Sequence, residues 1–358
     1  MFAMTLTISL VVIAGILIVL VKAQREYLRL PELPVTPKAD TADVTVIIPA
    51  RNEEKTIHAA VASFAGQAPV IVVDDASSDK TPEVARSAGA TVIDAPRLKK
   101  GMAGKANACS AGARAAGTNW LLFVDADTRF REEFLPSLMG EARKASLDMA
   151  SVFLKQEYQS IWESVVLPYA VALSFVGVNT RKVNAKKSFD ALASGQCMLF
   201  RREVYDFMGG HTAVSTSIIE DAMLAYGAKR HRINQKVMRA ERLGTGTRAD
   251  GFRGVWRWLQ RSTFRFTLVS RWCGLQVLIA AIIMSCYAPV IAVLVYQQYI
   301  VLACICALIP PVLLARWYGG LHRSLLAPYA IYAFDVIQVL ALVGTAFGRG
   351  TKWKGRRV

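Results

Sequence analysis

The chain has 358 residues, of which 53% are hydrophobic and only 20% charged. That is too apolar for an ordinary soluble domain and too evenly composed for a disordered chain or a collagen-like fibre, so we expect a membrane protein. The net charge of +16 is concentrated beside hydrophobic stretches, at residues 231–272 and 349–358. This placement fits anionic headgroups better than a nucleic-acid-binding face, and nucleic acid is not an expected partner.

The N-terminal apolar run, residues 2–21, has about the length of one membrane span. It has no basic n-region and no cleavage pattern, and Lys22, Arg25 and Arg29 follow it. We therefore expect an uncleaved anchor whose C-terminal side faces the cytoplasm. Further candidate spans lie at residues 275–296, 300–315 and 325–347.

The charge rule leaves the number of spans open. Three C-terminal spans would place the basic tail outside, whereas two spans and a re-entrant segment would keep it inside. We expect three or four spans in total, in a multi-pass protein of the cell inner membrane with a cytoplasmic central domain. The predicted boundaries are an anchor at 1–23, a linker at 24–42, a central domain at 43–249, an interfacial helix at 250–272, spans at 273–348 and a tail at 349–358.

In the central domain, short apolar segments alternate with helical patterns. The predicted strands are residues 44–48, 70–73, 91–93 and 120–124. A helix opens at Asn52, and another runs from Thr81-Pro82 to Gly89, since Pro suits the first turn of a helix and Gly the residue after its end. Such alternation predicts an α/β domain with a mostly parallel, Rossmann-like sheet, in which ligands bind beyond the carboxyl ends of the strands.

Acidic residues follow two of these strands. Asp74 and Asp75 follow the second strand, where a polar turn is the simpler explanation and contact with a base or ribose the functional one. Asp125 and Asp127 follow the fourth strand, separated by one residue. They offer hard oxygen ligands to a divalent cation beside phosphate, so the pair predicts a site for a divalent cation.

Three other segments are candidates for binding or catalysis. The basic, glycine-containing loop 97–107 leads into a helix, so it can bring backbone N–H groups and Lys105 against a diphosphate, or it is a solvated loop. The turn at 194–196 consists of Ser, Gly and Gln and can let a ligand approach the backbone. Glu220 and Asp221 open a helical pattern, where Asp221 could act as a general base or both acids could stabilise the helix N-terminus.

Two amphipathic stretches are candidates for contact with lipid. Arg residues recur every fourth position beside aromatic and apolar ones, as in a helix that lies among headgroups. They are Arg253, Arg257, Arg261 and Arg265, with Phe252, Trp256, Leu259, Thr263 and Phe266 beside them. Residues 158–178 form a long apolar stretch that we interpret as an interfacial helix admitting a lipid tail, the alternative being a core helix.

Taken in order, these segments resemble a family 2 glycosyltransferase of the GT-A type. The resemblance rests on residues 47–54, 73–79, 104–105, 125–127, 194–196 and 220–221. It implies inverting transfer from a nucleotide-diphospho-sugar, with UDP-hexose as the expected donor. It implies that Asp221 is the catalytic base and that Asp125 and Asp127 hold Mg²⁺ or Mn²⁺.

The remaining implied roles divide between the two substrates. Donor-binding residues would be Pro49, Arg51, Glu53, Asp75, Lys105 and Asp125. Residues on the acceptor side would be Gly195, Gln196, Glu220, Arg257 and Trp258.

The membrane layout and the closing residues 353–356 (Trp-Lys-Gly-Arg) look like the branch that glycosylates lipids such as carotenoids, ceramides or hopanoids. The expected acceptor is therefore a hydroxyl of a membrane lipid. Processive polysaccharide synthases carry a Q/R-x-x-R-W element, whereas Gly254 stands at its first position before Arg257-Trp258. A polysaccharide synthase and a non-catalytic membrane scaffold remain the alternatives.

Overall fold

The computed structural model describes residues 2–36, 38–98, 101–217, 219–247, 251–262, 271–346, 352–353 and 356–357. The chain divides into two compact units. An α/β unit is built from Leu30–Glu157, Arg181–Arg248 and Lys352–Val358. A helical unit is built from Met1–Arg29, Tyr158–Thr180 and Ala249–Thr351.

The α/β unit is organised by a seven-stranded sheet in the order β3-β2-β1-β4-β8-β6-β9. Its strands are β1 (Val44–Ala50), β2 (Val70–Asp74), β3 (Thr91–Asp94), β4 (Trp120–Val124), β6 (Met149–Phe153), β8 (Cys197–Arg201) and β9 (Gln235–Arg239). Neighbouring strands run parallel except at β8, which is antiparallel to both β4 and β6. A three-stranded sheet, β5-β10-β7, contains β5 (Thr128–Phe130), β7 (Lys155–Gln156) and β10 (Gly244–Gly246). A short pair comprises β11 (Lys352–Trp353) and β12 (Arg356–Arg357).

Hydrophobic residues pack on both faces of the large sheet because successive side chains of a strand point to opposite faces. Ile48 of β1 belongs to one cluster, with Phe64 and Phe134, and Ile47 belongs to the other, with Phe200. The helices of this unit are α2 (Ile57–Ala62), α3 (Thr81–Ser87), α4 (Gly104–Ala115), α5 (Phe134–Lys144), α8 (Arg202–Phe207), α9 (Gly210–Ala213) and α10 (Glu220–Arg230). The short helix α7 (Thr180–Val183) begins in the helical unit.

The predicted mostly parallel α/β fold is confirmed, with two local differences. Strand β1 continues through Pro49, which pairs in register with Val73, whereas its pairing with β4 stops at Ile47. Pro49 therefore sits where one side of the strand is no longer paired, so its missing N–H is tolerated. Helix α2 begins at Ile57 rather than at Asn52, whose φ is +54°.

The helical unit contains the apolar elements. They are α1 (Phe2–Leu28), α6 (Ile161–Ser174), α11 (Gly251–Ser262), α12 (Arg271–Ser285), α13 (Tyr287–Tyr296), α14 (Ile300–Tyr318), α15 (Leu321–Ser324) and α16 (Ala327–Ala346). Within the described ranges, three stretches are long and apolar enough to cross a membrane: Ala3–Leu28, Trp272–Tyr296 and Ile300–Tyr318. Candidate spans are thus present at the expected N-terminal position and at two of the expected C-terminal positions, whereas the part of α16 that was assessed, Ala327–Leu340, is shorter.

The two amphipathic stretches differ in burial. Helix α6 is buried along Val166–Leu173, so the core-helix alternative describes it better than an interfacial helix, although Ile161 and Trp162 are exposed at its start. Helix α11 buries Val255 and Leu259 on one side, one helical turn apart. Its Arg253 and Arg257 are exposed, which fits the predicted basic ridge. Thr263, Arg265 and Phe266 lie outside the described residues.

Candidate active site

The strand topology brings the candidate residues of the α/β unit to one edge of the sheet. Strands β1 and β2 end level with each other, since Ala50 pairs with Asp74. The antiparallel strand β8 begins where β4 ends, with Val124 opposite Cys197. The N–H of Asp125 then donates to the carbonyl of Gln196, 3.2 Å away. The reversed direction of β8 is therefore what delivers the 194–196 turn to the acidic end of β4.

Lys105 in the first turn of α4 connects three of these segments. Its Nζ lies 2.7 Å from Asp125 Oδ1 and 3.2 Å from Glu220 Oε1, and it donates to the Gly195 carbonyl at 3.1 Å. Burial by itself would lower the pKa of Lys105, but the charges of Asp125 and Glu220 outweigh it and raise the pKa well above its ordinary value. Lys105 is a permanent positive charge in a cleft that Pro49 also lines.

Asp221 is buried and held by backbone donors at the start of α10. Its Oδ2 accepts from the N–H of Gly195 at 2.9 Å, and its Oδ1 accepts from the N–H of Ala222 at 2.8 Å. A Cβ on Gly195 would lie 3.1 Å from Asp221 Oδ2 and 3.2 Å from Lys105 Nζ, so glycine lets the turn approach both groups. Gly195 thus holds a carboxylate through its backbone N–H and an ammonium through its carbonyl.

Asp127 has one oxygen bound and one without a partner. Its Oδ2 accepts from Thr247 Oγ1 at 3.0 Å, while its Oδ1 is buried and makes no hydrogen bond within the described residues. Burial first, then the charges of Asp125 and Glu53, raise the pKa of Asp127 to about 7. A carboxylate oxygen in this state fits a divalent cation as its missing partner. No group of three or more His, Cys, Asp and Glu side chains suited to a metal occurs in the described ranges, so a cation here would need further ligands from water or a bound molecule.

The ends of β1 and β2 form a second part of this edge. The guanidinium of Arg51 donates to the carbonyl of Asp75, and its Nη1 lies 4.0 Å from Asp75 Oδ2. Asp74 Oδ2 accepts from the Ser77 N–H at 3.1 Å, whereas its buried Oδ1 has no partner within the described residues. Glu53, which follows β1, interacts electrostatically with Asp127, which follows β4, because its charge contributes to the raised pKa of Asp127.

The remaining predicted site residues are Gln196, Arg257 and Trp258. The Gln196 side chain is buried and bonded at both ends, accepting from Gln156 Nε2 at 3.0 Å and donating to the Thr247 carbonyl at 2.8 Å. It therefore supports the loop that carries Thr247. Arg257 and Trp258 belong to α11 of the helical unit, where Arg257 is exposed and Trp258 half-buried.

Two residues of the site were missed by the sequence reasoning. Thr247 comes after β10, 120 positions after the carboxylate it bonds, and a lone Thr carries no signal. His211 lines the cleft with Lys105 and Gly195, directly after Gly209-Gly210. The paired glycines before a histidine were the available signal, because such pairs mark backbone with special conformational needs.

Residues 45–209 match the family model described as Glycosyl transferase family 2. Two similar relatives are the 4,4'-diaponeurosporenoate glycosyltransferases of Staphylococcus aureus strains USA300 and NCTC 8325 / PS 47. Each is 34% identical over 186 residues, which cover 49% of this chain and 48% of the relative. The chain thus spans about half the length of the curated relatives that it matches.

Two solved structures illustrate the likeness of fold. Glucosyl-3-phosphoglycerate synthase from Mycobacterium tuberculosis, in complex with Mn²⁺, UDP and phosphoglyceric acid, is 21% identical, and the match covers 69% of this chain and 87% of that one with a TM-score of 0.46. S. aureus TarS is 17% identical, with 63% and 40% covered and a TM-score of 0.42.

Proposed function

We propose that this protein transfers a sugar from a nucleotide-diphospho-sugar, with UDP-hexose as the first donor to test, to a hydroxyl of a membrane lipid, with inversion at the anomeric carbon. The observation that carries the proposal is the cluster in which Lys105 contacts both Asp125 and Glu220, with Asp221 and Lys105 held against Gly195. It lies at the edge of the sheet where α/β folds bind ligands, in a chain whose residues 45–209 match the Glycosyl transferase family 2 model.

On the donor side, the residues offer positive charge where a diphosphate leaves. Cleavage of the anomeric C–O bond builds negative charge on the diphosphate, and the Lys105 ammonium, fixed by two carboxylates, is positioned to stabilise it. Asp75 and Arg51 lie at the neighbouring strand ends, where the nucleoside would bind. Mg²⁺ or Mn²⁺, held by Asp125 and Asp127, would supply further stabilisation of the leaving group.

On the acceptor side, Asp221 serves as the general base. Both of its oxygens are oriented by backbone N–H groups, so the carboxylate is fixed before the acceptor binds. It takes the proton of the acceptor hydroxyl as the oxygen attacks the anomeric carbon from the face opposite to the diphosphate. The carbon is inverted because only one displacement occurs.

The membrane features support a lipid as the acceptor. Three stretches are long and apolar enough to cross a bilayer, and the relatives act on 4,4'-diaponeurosporenoate according to their names. Basic residues after the N-terminal anchor favour a catalytic domain on the cytoplasmic side of the inner membrane. The acceptor hydroxyl would then be presented at the bilayer surface while its tail stays in lipid.

The test is a transfer assay with the full chain in membranes. Membranes containing the protein are incubated with radiolabelled UDP-glucose, UDP-galactose and UDP-N-acetylglucosamine, with and without Mn²⁺ or Mg²⁺, and lipids are then extracted. We expect metal-dependent label in the lipid fraction for the wild type and for the exposed control Asp190→Asn. For Asp221→Asn, the rate of label transfer to lipid should be about 10²–10⁴-fold lower. Label in a long polymer, transfer only to water-soluble sugars, or no metal-dependent nucleotide binding would each contradict the proposal.

A further inference from the structure

His211 occupies an unusual place in the wall of the cleft. It follows Gly209 and Gly210, whose φ angles of +73° and +48° are strained for residues with a side chain. The ring of Tyr205 lies directly against Gly210, leaving no room for a Cβ there. This tight turn directs His211 inward, where it is only 2% exposed and lines the cleft together with Lys105 and Glu220.

The hydrogen bonds of Tyr205 define which nitrogen of His211 carries the proton. The backbone N–H of His211 donates to Tyr205 Oη at 3.0 Å, and Tyr205 Oη lies 2.8 Å from His211 Nδ1. If Nδ1 were protonated, Oη would accept twice and its own buried hydrogen would have no acceptor among the described residues. The assignment that satisfies the buried Tyr205 hydroxyl has Tyr205 donating to Nδ1, which leaves the proton on Nε2, the nitrogen available to the cleft.

His211 is a neutral donor in a charged cleft. Burial first, and then the charge of Lys105, lower the pKa of His211 to about 3. Among the described residues, the hydrogen bonds of His211 engage its Nδ1 and its backbone N–H, and none engages Nε2. A donor held in one orientation in the wall of a cleft is positioned to meet a ligand atom.

We propose that His211 recognises one hydroxyl of the transferred sugar by donating its Nε2–H to the hydroxyl oxygen. This inference rests on the proposed function and names a specificity-determining residue for it. A sugar hydroxyl needs both a donor and an acceptor, and the Glu220 carboxylate in the same cleft wall supplies an acceptor. The diphosphate is the less suitable partner, because Lys105 beside it already offers a full positive charge.

A purely structural role would not need these features. The imidazole ring packs against Phe123, with ring centroids 4.6 Å apart, and a Phe ring could make the same contact. Packing does not require a fixed tautomer, whereas donation to a ligand does. The distinction can therefore be measured through discrimination between sugars rather than through activity alone.

The experiment compares the donor found in the transfer assay with its four monodeoxy analogues. The variants are His211→Phe, His211→Gln, Tyr205→Phe and the exposed control His58→Gln, all in the full-length protein. kcat and KM are measured for each donor, and the affinity for UDP alone is measured by competition. For one analogue, we expect the wild type and the control to lose about 3- to 10-fold in kcat/KM, the effect of one neutral hydrogen bond.

His211→Phe should lose that discrimination, because it already lacks the donor, while its affinity for UDP stays within about twofold. His211→Gln should restore part of it, since the amide can donate from a similar position, and Tyr205→Phe should show an intermediate loss because both tautomers become available. Unchanged discrimination in His211→Phe, or equal losses for UDP and for the sugar nucleotide, would overturn the inference and leave the proposed function standing. Absence of transfer by the wild type from every donor would instead refute the proposed function.

Discussion

Replacing Asp127 by Asn should stabilise the metal-free protein at alkaline pH, although it removes a proposed metal ligand. The pKa of Asp127 is raised from 3.8 to about 7, first by burial and then by Asp125 and Glu53. An acid whose pKa is higher in the folded state than in the unfolded state stabilises the fold at low pH, and this contribution is lost as the pH rises from about 4 to about 7. Above pH 7 the Asp127 carboxylate of the folded protein is therefore ionised, and its negative charge is destabilised by burial and by neighbouring acids. Asn has no such charge.

The size of this gain follows from the shift. Three pKa units correspond to about 4 kcal/mol, and partial solvent access of the half-buried carboxylate reduces the expected value to roughly 1–2 kcal/mol. For a domain of the size of the α/β unit, this gain in the free energy of unfolding corresponds to an increase of about 2–8 °C in the apparent Tm. The difference between the variant and the wild type should be largest near pH 8 and should vanish near pH 4.

The assay is thermal unfolding of the purified full chain in detergent, between pH 4 and 8.5, with a chelator present. The exposed control Asp94→Asn should stay within about 1 °C of the wild type at every pH. Adding Mn²⁺ with UDP should stabilise the wild type, by about 2.7 kcal/mol at a hundred times the Kd, and should have little effect on Asp127→Asn. If Asp127→Asn lowers the Tm at pH 8, or raises it equally at pH 4 and pH 8, the electrostatic reasoning is wrong.

Three substitutions test the rest of the cluster. Asp221→Asn should lower kcat about 10²–10⁴-fold and leave donor affinity within a factor of three, measured by kinetics and UDP competition; equal losses in both would argue against a base. Gly195→Ala should lower kcat about tenfold, because the new Cβ would crowd the carboxylate of Asp221 and the ammonium of Lys105, and an unchanged rate would show that the turn adapts. Thr247→Val should weaken Mn²⁺ binding about tenfold, as titration with UDP present would show, and Thr247→Ser should restore it; equal affinities would remove Thr247 from the site.

Much of the parallel half of the sheet could be predicted because its strands carry strong local signals. The apolar runs that end at Asp74 and Asp125 are strands β2 and β4, and the helix between Thr81 and Gly89 is α3. The mixed half could not be predicted in the same way. An apolar run such as Cys197–Arg201 reads the same in either direction, so hydrophobic periodicity does not reveal that β8 is antiparallel.

The site was predictable to the extent that each residue sits next to a recognisable strand or helix end. Asp127 and Asp221 met that condition. His211 and Thr247 did not, because their positions depend on tertiary contacts: His211 on the Tyr205 ring packed against Gly210, and Thr247 on the pairing of β10 with β5. Contacts of this kind join residues far apart in the sequence and leave no periodic pattern.

The hydrogen-bonding state of the buried carboxylates gives an independent indication of where a ligand binds. In the described part of the chain, two buried carboxylate oxygens lack a partner, Asp74 Oδ1 and Asp127 Oδ1. Both belong to residues at the carboxyl ends of parallel strands, and each unpaired oxygen costs roughly 1–3 kcal/mol. A sequence selected only for stability would replace such groups, as Asp127→Asn should demonstrate. Their presence at the same edge as Lys105 and Asp221 is therefore best explained by cationic or hydrogen-bonding partners that arrive with the substrate.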